Sequence, residues 1–535
     1  MHSYVAEEFT DTEIAILRRY FTNLEGPVFA LVNLPEVVKG ALFARYSRSS
    51  KSLRRLFLDE FVGDLDLTGD ASIDATVGLD RADELYQRIF YEYGDDSVAQ
   101  LGGVHLACEQ ASNLLTKVLE WGRMMSYLEQ STRYLGYDKR LGNGHYRFYR
   151  DHDVLESRFG ARYVGEMDRM FDTYAELLPV LTEWLGQKYP KTADDTDFVY
   201  RQAIRAKALD ATRGLLPASA LSNLGIYASG QAYESLLLHM RAHPLPEVRV
   251  YAQLMLDELV KVIPSFLRRV DVPERGVAWS TYMSNTKSAT HDLLDSMWTK
   301  LVEDEPVEQV RLVAYDPEGE TRVLEAIIFG NSTMSHDEAR LRVSSMPPDD
   351  RAALMSTYVG DRKNRRHRPG RAFERTDYRF ELVTDYGAFR DLQRHRLLTI
   401  EWQPLTTELG FDVPEVIREA GLAERYEESL LRSADLYHDM REEYPEQAQY
   451  CVALAFRIRY VMQMNAREAM HLIELRSSPQ GHPNYRRVAQ EMARLIRDVA
   501  GHNLIADSMK YVDFSDTDLE RLEAERNAER IRLNR

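Results

Sequence analysis

Residues 127–134 read Tyr-Leu-Glu-Gln-Ser-Thr-Arg-Tyr and bring together a carboxylate, a hydroxyl and a guanidinium, those of Glu129, Ser131 and Arg133. A planar guanidinium beside a hydroxyl can hold a phosphate through two-point hydrogen bonding, so the stretch predicts an anion-binding turn. Upstream, Leu114, Leu115, Val118, Trp121 and Met125 recur at three to four residues, which predicts a buried helix leading into the turn. An ordinary exposed loop is the competing reading of the same eight residues.

The chain around this stretch is long and acidic. With 535 residues it exceeds one core, and two to four domains are expected. Apolar residues make up 44% and charged residues 29%, the balance of a globular rather than a disordered protein. A net charge of −17 disfavours coating of nucleic acid, and no nucleic-acid partner is expected. Cys108 and Cys451 stand far apart and form no CxxC pair, which points to a reducing, cytoplasmic compartment without a disulfide framework or a cysteine metal site. The start lacks the basic and apolar regions of a signal peptide. The run Leu215–Leu238 is interrupted by Ser219, Asn223 and Glu234, and reads as core helix rather than membrane span.

Along the chain, residues 8–60 and 80–130 carry helical periods, and residues 142–152 alternate like a short strand after a turn. Helical patterns return over Val154–Leu185 and Asp197–Phe266. The acidic stretch with Glu303, Asp304 and Glu305 then leads into a strand beginning at Val310, and the domain boundary is expected there, giving domains 1–305 and 306–535. Tyr378–Thr384 reads as a strand. Nearly everything after Phe389 reads as helical, with a solvated charged tail from Asp518. The two halves repeat each other weakly: His239-Met-Arg241 with Gln253 downstream is echoed by Glu474-Leu-Arg476 with Gln490. Trp121-Gly-Arg123 likewise aligns with Arg394-His395-Arg396.

These motifs resemble the flavin-dependent thymidylate synthases, which carry an Arg-His-Arg followed shortly by a Glu-x-Ser-x-Arg-Tyr turn. In that family both motifs sit in one chain of about half this length. Here they are separated. Glu129, Ser131, Arg133 and Tyr134 are intact beside a degraded Trp121-Gly-Arg123, whereas Arg394-His395-Arg396 is intact beside Pro404 and Thr406, which stand where the serine and arginine of the turn would be. An Arg-x-x-Leu-Pro that supports the nucleotide phosphate matches Arg213-Gly-Leu-Leu-Pro217. The flavin-contacting Asn-x-Arg with its following Asn or His and terminal arginine matches Asn465, Arg467, His471 and Arg476; the first half has Gly230, Ala232, Leu236 and Arg241 there. On a helix, Asn465 and Arg476 would share one face and Arg467 and His471 another, although a solvated charged face is the simpler reading of those spacings.

The resemblance implies a division of labour. In the family each active site is built between subunits, and a tandem duplication lets each half drop the role its neighbour performs. The expected result is one composite site per pair of unlike halves, in an α+β protein of two related domains, each a small antiparallel sheet with a large helical layer. Arg394, Ser131 and Arg476 are the expected catalytic residues. Glu129, Ser131, Arg133, Arg213, Arg394 and Arg476 are expected to bind substrate, and His395, Arg396, Arg371, Glu374, Asn465, Arg467 and His471 to bind FAD. The implied reaction is methylation of dUMP to dTMP with methylenetetrahydrofolate and NADPH as co-substrates, in a homodimer of pseudo-tetrameric arrangement. Methylation of another pyrimidine nucleotide, or an inactive flavin- or nucleotide-binding homologue, are the alternatives. The basic run Asp361–Arg371 reads as an exposed loop or as one reaching flavin or folate phosphates. It stands where the family has Gly-His-x-x-x-x-Glu-His: Glu374 matches the carboxylate, Arg375 replaces the second histidine and Pro369 falls at the first. Its first-half counterpart, Gly94-Asp-Asp-Ser97, also lacks the histidine. His105, Glu109 and His145 lack metal-ligand spacing, and no metal is expected.

Overall fold

A computed structural model describes residues 4–34, 36–61, 102–193, 195–298, 308–515, 519, 521–522, 525–526 and 529–530. The Gly94-Asp-Asp-Ser97 stretch and the acidic residues Glu303–Glu305 lie outside the described residues. The chain divides into two compact units, each assembled from three segments. One comprises residues 1–176, 215–304 and 428–453, the other residues 177–214, 305–427 and 454–535. The exchange of segments 177–214 and 428–453 between the halves leaves no periodicity signal, because a helix looks the same whichever core it packs on.

The protein is α+β. In the first unit, strands β1 (Val28–Leu31), β2 (Gly103–Ser112), β3 (Met125–Glu129) and β4 (Leu221–Ser229) form an antiparallel sheet of order β1-β2-β4-β3. In the second unit, β5 (Val310–Tyr315), β6 (Asp377–Asp385), β7 (Thr399–Trp402) and β8 (Arg457–Asn465) form a sheet of order β5-β6-β8-β7. β8 alternates half-buried and buried residues, the pattern of a strand with one face on a core. Helix Pro246–Leu259 packs on β1 and on helix Gly230–Arg241 in the first unit. In the second, Pro483–Asp498 does the same with β5 and Ala466–Arg476. Each of these helices begins with proline at its first position, where a missing N–H costs nothing.

Several local expectations are corrected. The helix before the phosphate turn is short, Asn113–Leu119, and Met125 opens β3 instead of continuing it. The core run from Leu215 divides into a 3-10 turn, β4 and only then a helix from Gly230. Residues 142–152 form a turn with one isolated bridge, Phe148 to Ala220, rather than a strand. After Phe389, β7 and β8 interrupt the helices because their residues pair with β6 and with each other. The charged tail is not wholly solvated: Arg521 is buried, and Arg526 donates to Asp195 at 2.7 Å.

Candidate active site

The second unit gathers most of the motif residues at the junction of β8 and the helix Ala466–Arg476. Asn465 ends the strand in extended geometry and caps the helix, its side chain accepting from the Glu468 N–H at 2.9 Å. It is therefore outside the helical phase assumed from spacing. Inside the helix, Arg467 and His471 lie one turn apart, and both meet the basic loop. Arg467 Nε donates to the Pro369 carbonyl at 2.9 Å and Nη1 lies 3.5 Å from Glu374, whose other oxygen pairs with Arg371 at 2.9 Å. His471 Nε2 is 3.2 Å from Arg368 Nη2. The loop is anchored by buried Arg362, whose fork grips both oxygens of buried Glu474 at 2.7 and 2.5 Å. Arg371 is largely exposed. The basic run is thus an anchored but largely exposed wall of the site: Arg362 and Pro369 are buried, while Lys363, Arg366, Arg368 and Arg371 are exposed.

Beneath this wall, His395 is buried between two charged groups. Arg476 Nε donates to His395 Nε2 at 3.0 Å, so the ring proton sits on Nδ1 and is donated to Glu468 Oε1 at 3.1 Å. Burial and the adjacent Arg476 hold His395 well below the ordinary histidine range. Burial pushes Glu468 up to about 7, against Arg368 and Arg467, which pull it down. Burial with the surrounding arginines lowers His471 to about 4. Burial lowers Arg476 too, with Asp391 opposing and Arg394 adding to the effect. The 3-10 turn Arg213–Leu215 supplies one more guanidinium: Arg213 Nη1 lies 3.3 Å from Asp391, while its buried Nη2 has no hydrogen-bond partner among the described residues. Although Arg213 belongs to the first half of the sequence, it is part of the unit that contains Arg394–Arg396 and Arg476. Arg396 is exposed beside them.

Ligand-type atoms of His395, Glu468 and His471 lie within 4.8 Å of one another. Both nitrogens of His395 are used in the hydrogen bonds just described, and Arg365, Arg368, Arg467 and Arg476 all act on His471. Such surroundings repel a cation and attract an anion. Glu468, Asp391 and Arg368 are site residues that the sequence reading passed over. A signal for Glu468 existed, since a glutamate three residues after an Asn cap is the spacing of a helix start. Asp391 carried none.

The phosphate turn belongs to the first unit. Glu129 closes β3, buried, with its carboxylate 3.3 Å from the buried Lys117 ammonium, which also binds Glu120. Gln130 donates its backbone N–H to Asn223 and Ser131 donates to the Ser47 carbonyl at 3.2 Å; the Arg133 N–H donates to Ser131 Oγ at 3.3 Å. Ser131 and Arg133 are half-buried, and the Arg48 guanidinium stacks over the Tyr134 ring. Both cysteines are buried, and burial pushes their thiols up, away from nucleophilic use.

The model of the thymidylate synthase complementing protein family matches the chain twice, over residues 41–265 and 311–501. The chain belongs to that family. The two matches fall on the two halves, so this member carries the family's unit in duplicate. Its relatives include a UPF0159 protein of Chlamydia pneumoniae, 39% identical over 98% of both chains. Another, from Chlamydia muridarum, is 38% identical over 97% of this chain and 98% of its own. A UPF0159 protein of Thermoplasma acidophilum is 33% identical over 91% of this chain and 97% of its own. The duplicated family member therefore aligns with these relatives over nearly their whole lengths. Among the described residues no helix is long and apolar enough to cross a membrane.

Proposed function

We propose that the protein methylates dUMP to dTMP in a flavin-dependent reaction that consumes methylenetetrahydrofolate and NADPH. The observation that carries this reading is the arginine cluster of the second unit. Arg213 and Arg476 gather about Asp391 with Arg394 acting on Arg476, and Arg213 leaves one buried nitrogen without a hydrogen-bond partner among the described residues. A buried cation with an open donor is costly unless an anion completes it, and a nucleotide or flavin phosphate is such an anion.

The residues fit FAD. Asn465, Arg467, His471, His395 and Arg396, with Arg371 and Glu374 at the wall, would hold it, and the bound flavin supplies the hydride. Arg394 and Arg476 polarise the pyrimidine, stabilising the negative charge that develops on its carbonyls. Ser131 and Arg133 contribute the phosphate-binding turn, and Glu129 holds that turn in place through Lys117. The units thus carry unlike shares of the machinery. A homodimer with pseudo-tetrameric arrangement, binding one flavin and one nucleotide per chain, follows from four family units in two copies. Pro369 and Arg375, standing where the family has histidines, favour a second reading in which flavin and nucleotide bind without turnover.

Rescue of a thymidine auxotroph, with flavin absorbance of the purified protein, separates the two. Growth without thymidine and one flavin per chain support the enzyme. A yellow protein that fails to rescue supports the binding homologue. A colourless protein that takes up no added flavin refutes both.

A further inference from the structure

The first unit contains a cavity of about 360 Å³ that none of the machinery above uses. Its origin is a defect in the sheet. β2 slips register against β4 between Cys108 and Ala111, and Gln110 within the bulge adopts φ 54°, a left-handed conformation that a non-glycine residue holds only under constraint. The related strand β6 pairs with β8 without any shift. The bulge turns Gln110 outward, where both its amide atoms are taken by the backbone of Val5 and its N–H by Asn223 Oδ1. The segment 4–7 is thereby strapped along one wall.

The remaining walls carry polar atoms without hydrogen-bond partners among the described residues. Gln130, 1% exposed, donates Nε2–H to the Ser49 carbonyl and leaves Oε1 unused. Asn223 spends Oδ1 on Gln110 and leaves Nδ2 unused. Charges on the lining are compensated with one exception: Glu109 pairs with Arg54, Glu7 with Arg55 and Lys51 with Asp59. The Arg147 guanidinium lies over the Tyr137 ring, with no carboxylate or hydrogen-bond acceptor for it among the described residues. Volume, concavity and a few convergent polar groups are the attributes of a small-molecule site.

We propose that this cavity is a second ligand site, one that takes a pyrimidine nucleotide. Arg147 meets the phosphate, and the unused acceptor of Gln130 with the unused donor of Asn223 matches the neighbouring N–H and C=O of a uracil or thymine ring. Gln130 belongs to the turn that carries Ser131 and Arg133, but neither of those two lines the cavity, so this is a second site beside the phosphate turn and goes beyond the proposed reaction.

Calorimetric titration of the full-length protein with dUMP and with dTMP tests it, using Arg133→Ala, Arg147→Gln and Asn223→Asp. Asn223→Asp keeps the Oδ1 acceptor for Gln110 and exchanges the free donor for a negative charge, so it probes the cavity even where Arg147→Gln disturbs folding. The wild type is expected to show two binding events per chain with at least one of the nucleotides. Arg147→Gln should weaken one of them about ten- to a hundredfold, Asn223→Asp should abolish that same event, and Arg133→Ala should spare it. A single event in the wild type, loss of all nucleotide heat in Arg133→Ala, or cavity variants that superimpose on the wild type would overturn the assignment. If both events, the Arg147-sensitive one included, were indifferent to Arg133, the result would instead count against the proposed role of the phosphate turn.

Discussion

The two units share one strand order and one way of entering the helix that follows their third-position strand, yet they treat charge in opposite ways. In the first, the helix Gly230–Arg241 ends in an arginine that is satisfied locally. Arg241 donates to the Val270 carbonyl at 2.9 Å, to Gln253 at 3.2 Å and to Asp271 at 2.6 Å. The start of that helix is closed by protein: a side chain at Gly230 would meet Phe266 at 2.7 Å, and one at Gly102 would meet the same ring at 2.3 Å. In the second unit, the equivalent Arg476 leans on a neutral histidine and shares Asp391 with Arg213. Its helix starts with Asn465 and Arg467 instead of Gly230 and Ala232. A common fold therefore offers a helix-start pocket that one unit fills with an aromatic ring and the other lines with cations. Duplication preserved the strand order, and side-chain chemistry made the two helix starts unlike.

The sharpest way to break this comparison is to remove one arginine from each of the two helices. Arg467→Ala should strip flavin from the purified protein, at least a hundredfold in affinity when two charge-assisted contacts are lost. Arg241→Ala should leave the flavin absorbance in place. Equal loss from both would mean that the units are not specialised.

Each unit also has a buried anchor, Arg362–Glu474 in the second and Arg54–Glu109 in the first. Arg362→Ala strands Glu474 without its cation, and denaturant unfolding should show a loss of about 3–5 kcal/mol. Arg54→Ala should cost less than this range, because Tyr46 and the Leu53 N–H, at 3.1 and 2.9 Å, continue to bind Glu109. Similar losses would show that these retained donors contribute little.

Glu247 sharpens the comparison through pH. It is completely enclosed, and burial raises it to about 7 against the donors Ser112 N–H, Ser112 Oγ and Tyr450, at 2.9, 2.6 and 2.7 Å. A folded-state value above the ordinary 4.5 means that the native state binds the extra proton. Its contribution to stability is full below about pH 4.5 and falls as pH rises to about 7, by roughly 3 kcal/mol. The corresponding place in the second unit is taken by Asn484, which binds Asp385 at 2.7 Å and does not titrate. Glu247→Gln should flatten the stability profile between pH 5 and 7 relative to the wild type. Parallel profiles would remove Glu247 as the source.

The smallest expected effect is on the phosphate turn. Arg133→Ala should cost roughly 1.5–3 kcal/mol in nucleotide binding, about ten- to a hundredfold, while flavin remains bound. Unchanged nucleotide affinity by calorimetry would take Arg133 out of the site.

What the sequence determined by itself is the kind of chemistry and the unequal inheritance of its parts. Short motifs such as Glu129-x-Ser131-x-Arg133 and Arg394-His395-Arg396 are local, and guanidiniums and hydroxyls announce anion binding wherever the chain folds. The strands at Val310 and Tyr378–Thr384 were legible for the same reason, but β4, β7 and β8 read as helix, because they are strands only through pairing with distant partners. What only the tertiary structure decided depends on contacts between distant residues. Arg213 reads as first-half property, yet the exchange of residues 177–214 delivers it to Asp391, 178 positions downstream. Glu468 looks like a solvated helix-start glutamate until His395 is folded against it, and Phe266 carries no mark of the two glycines it covers. The bulge at Gln110 is equally silent, because register is chosen by the partner strand and not by the residue that pays the strain.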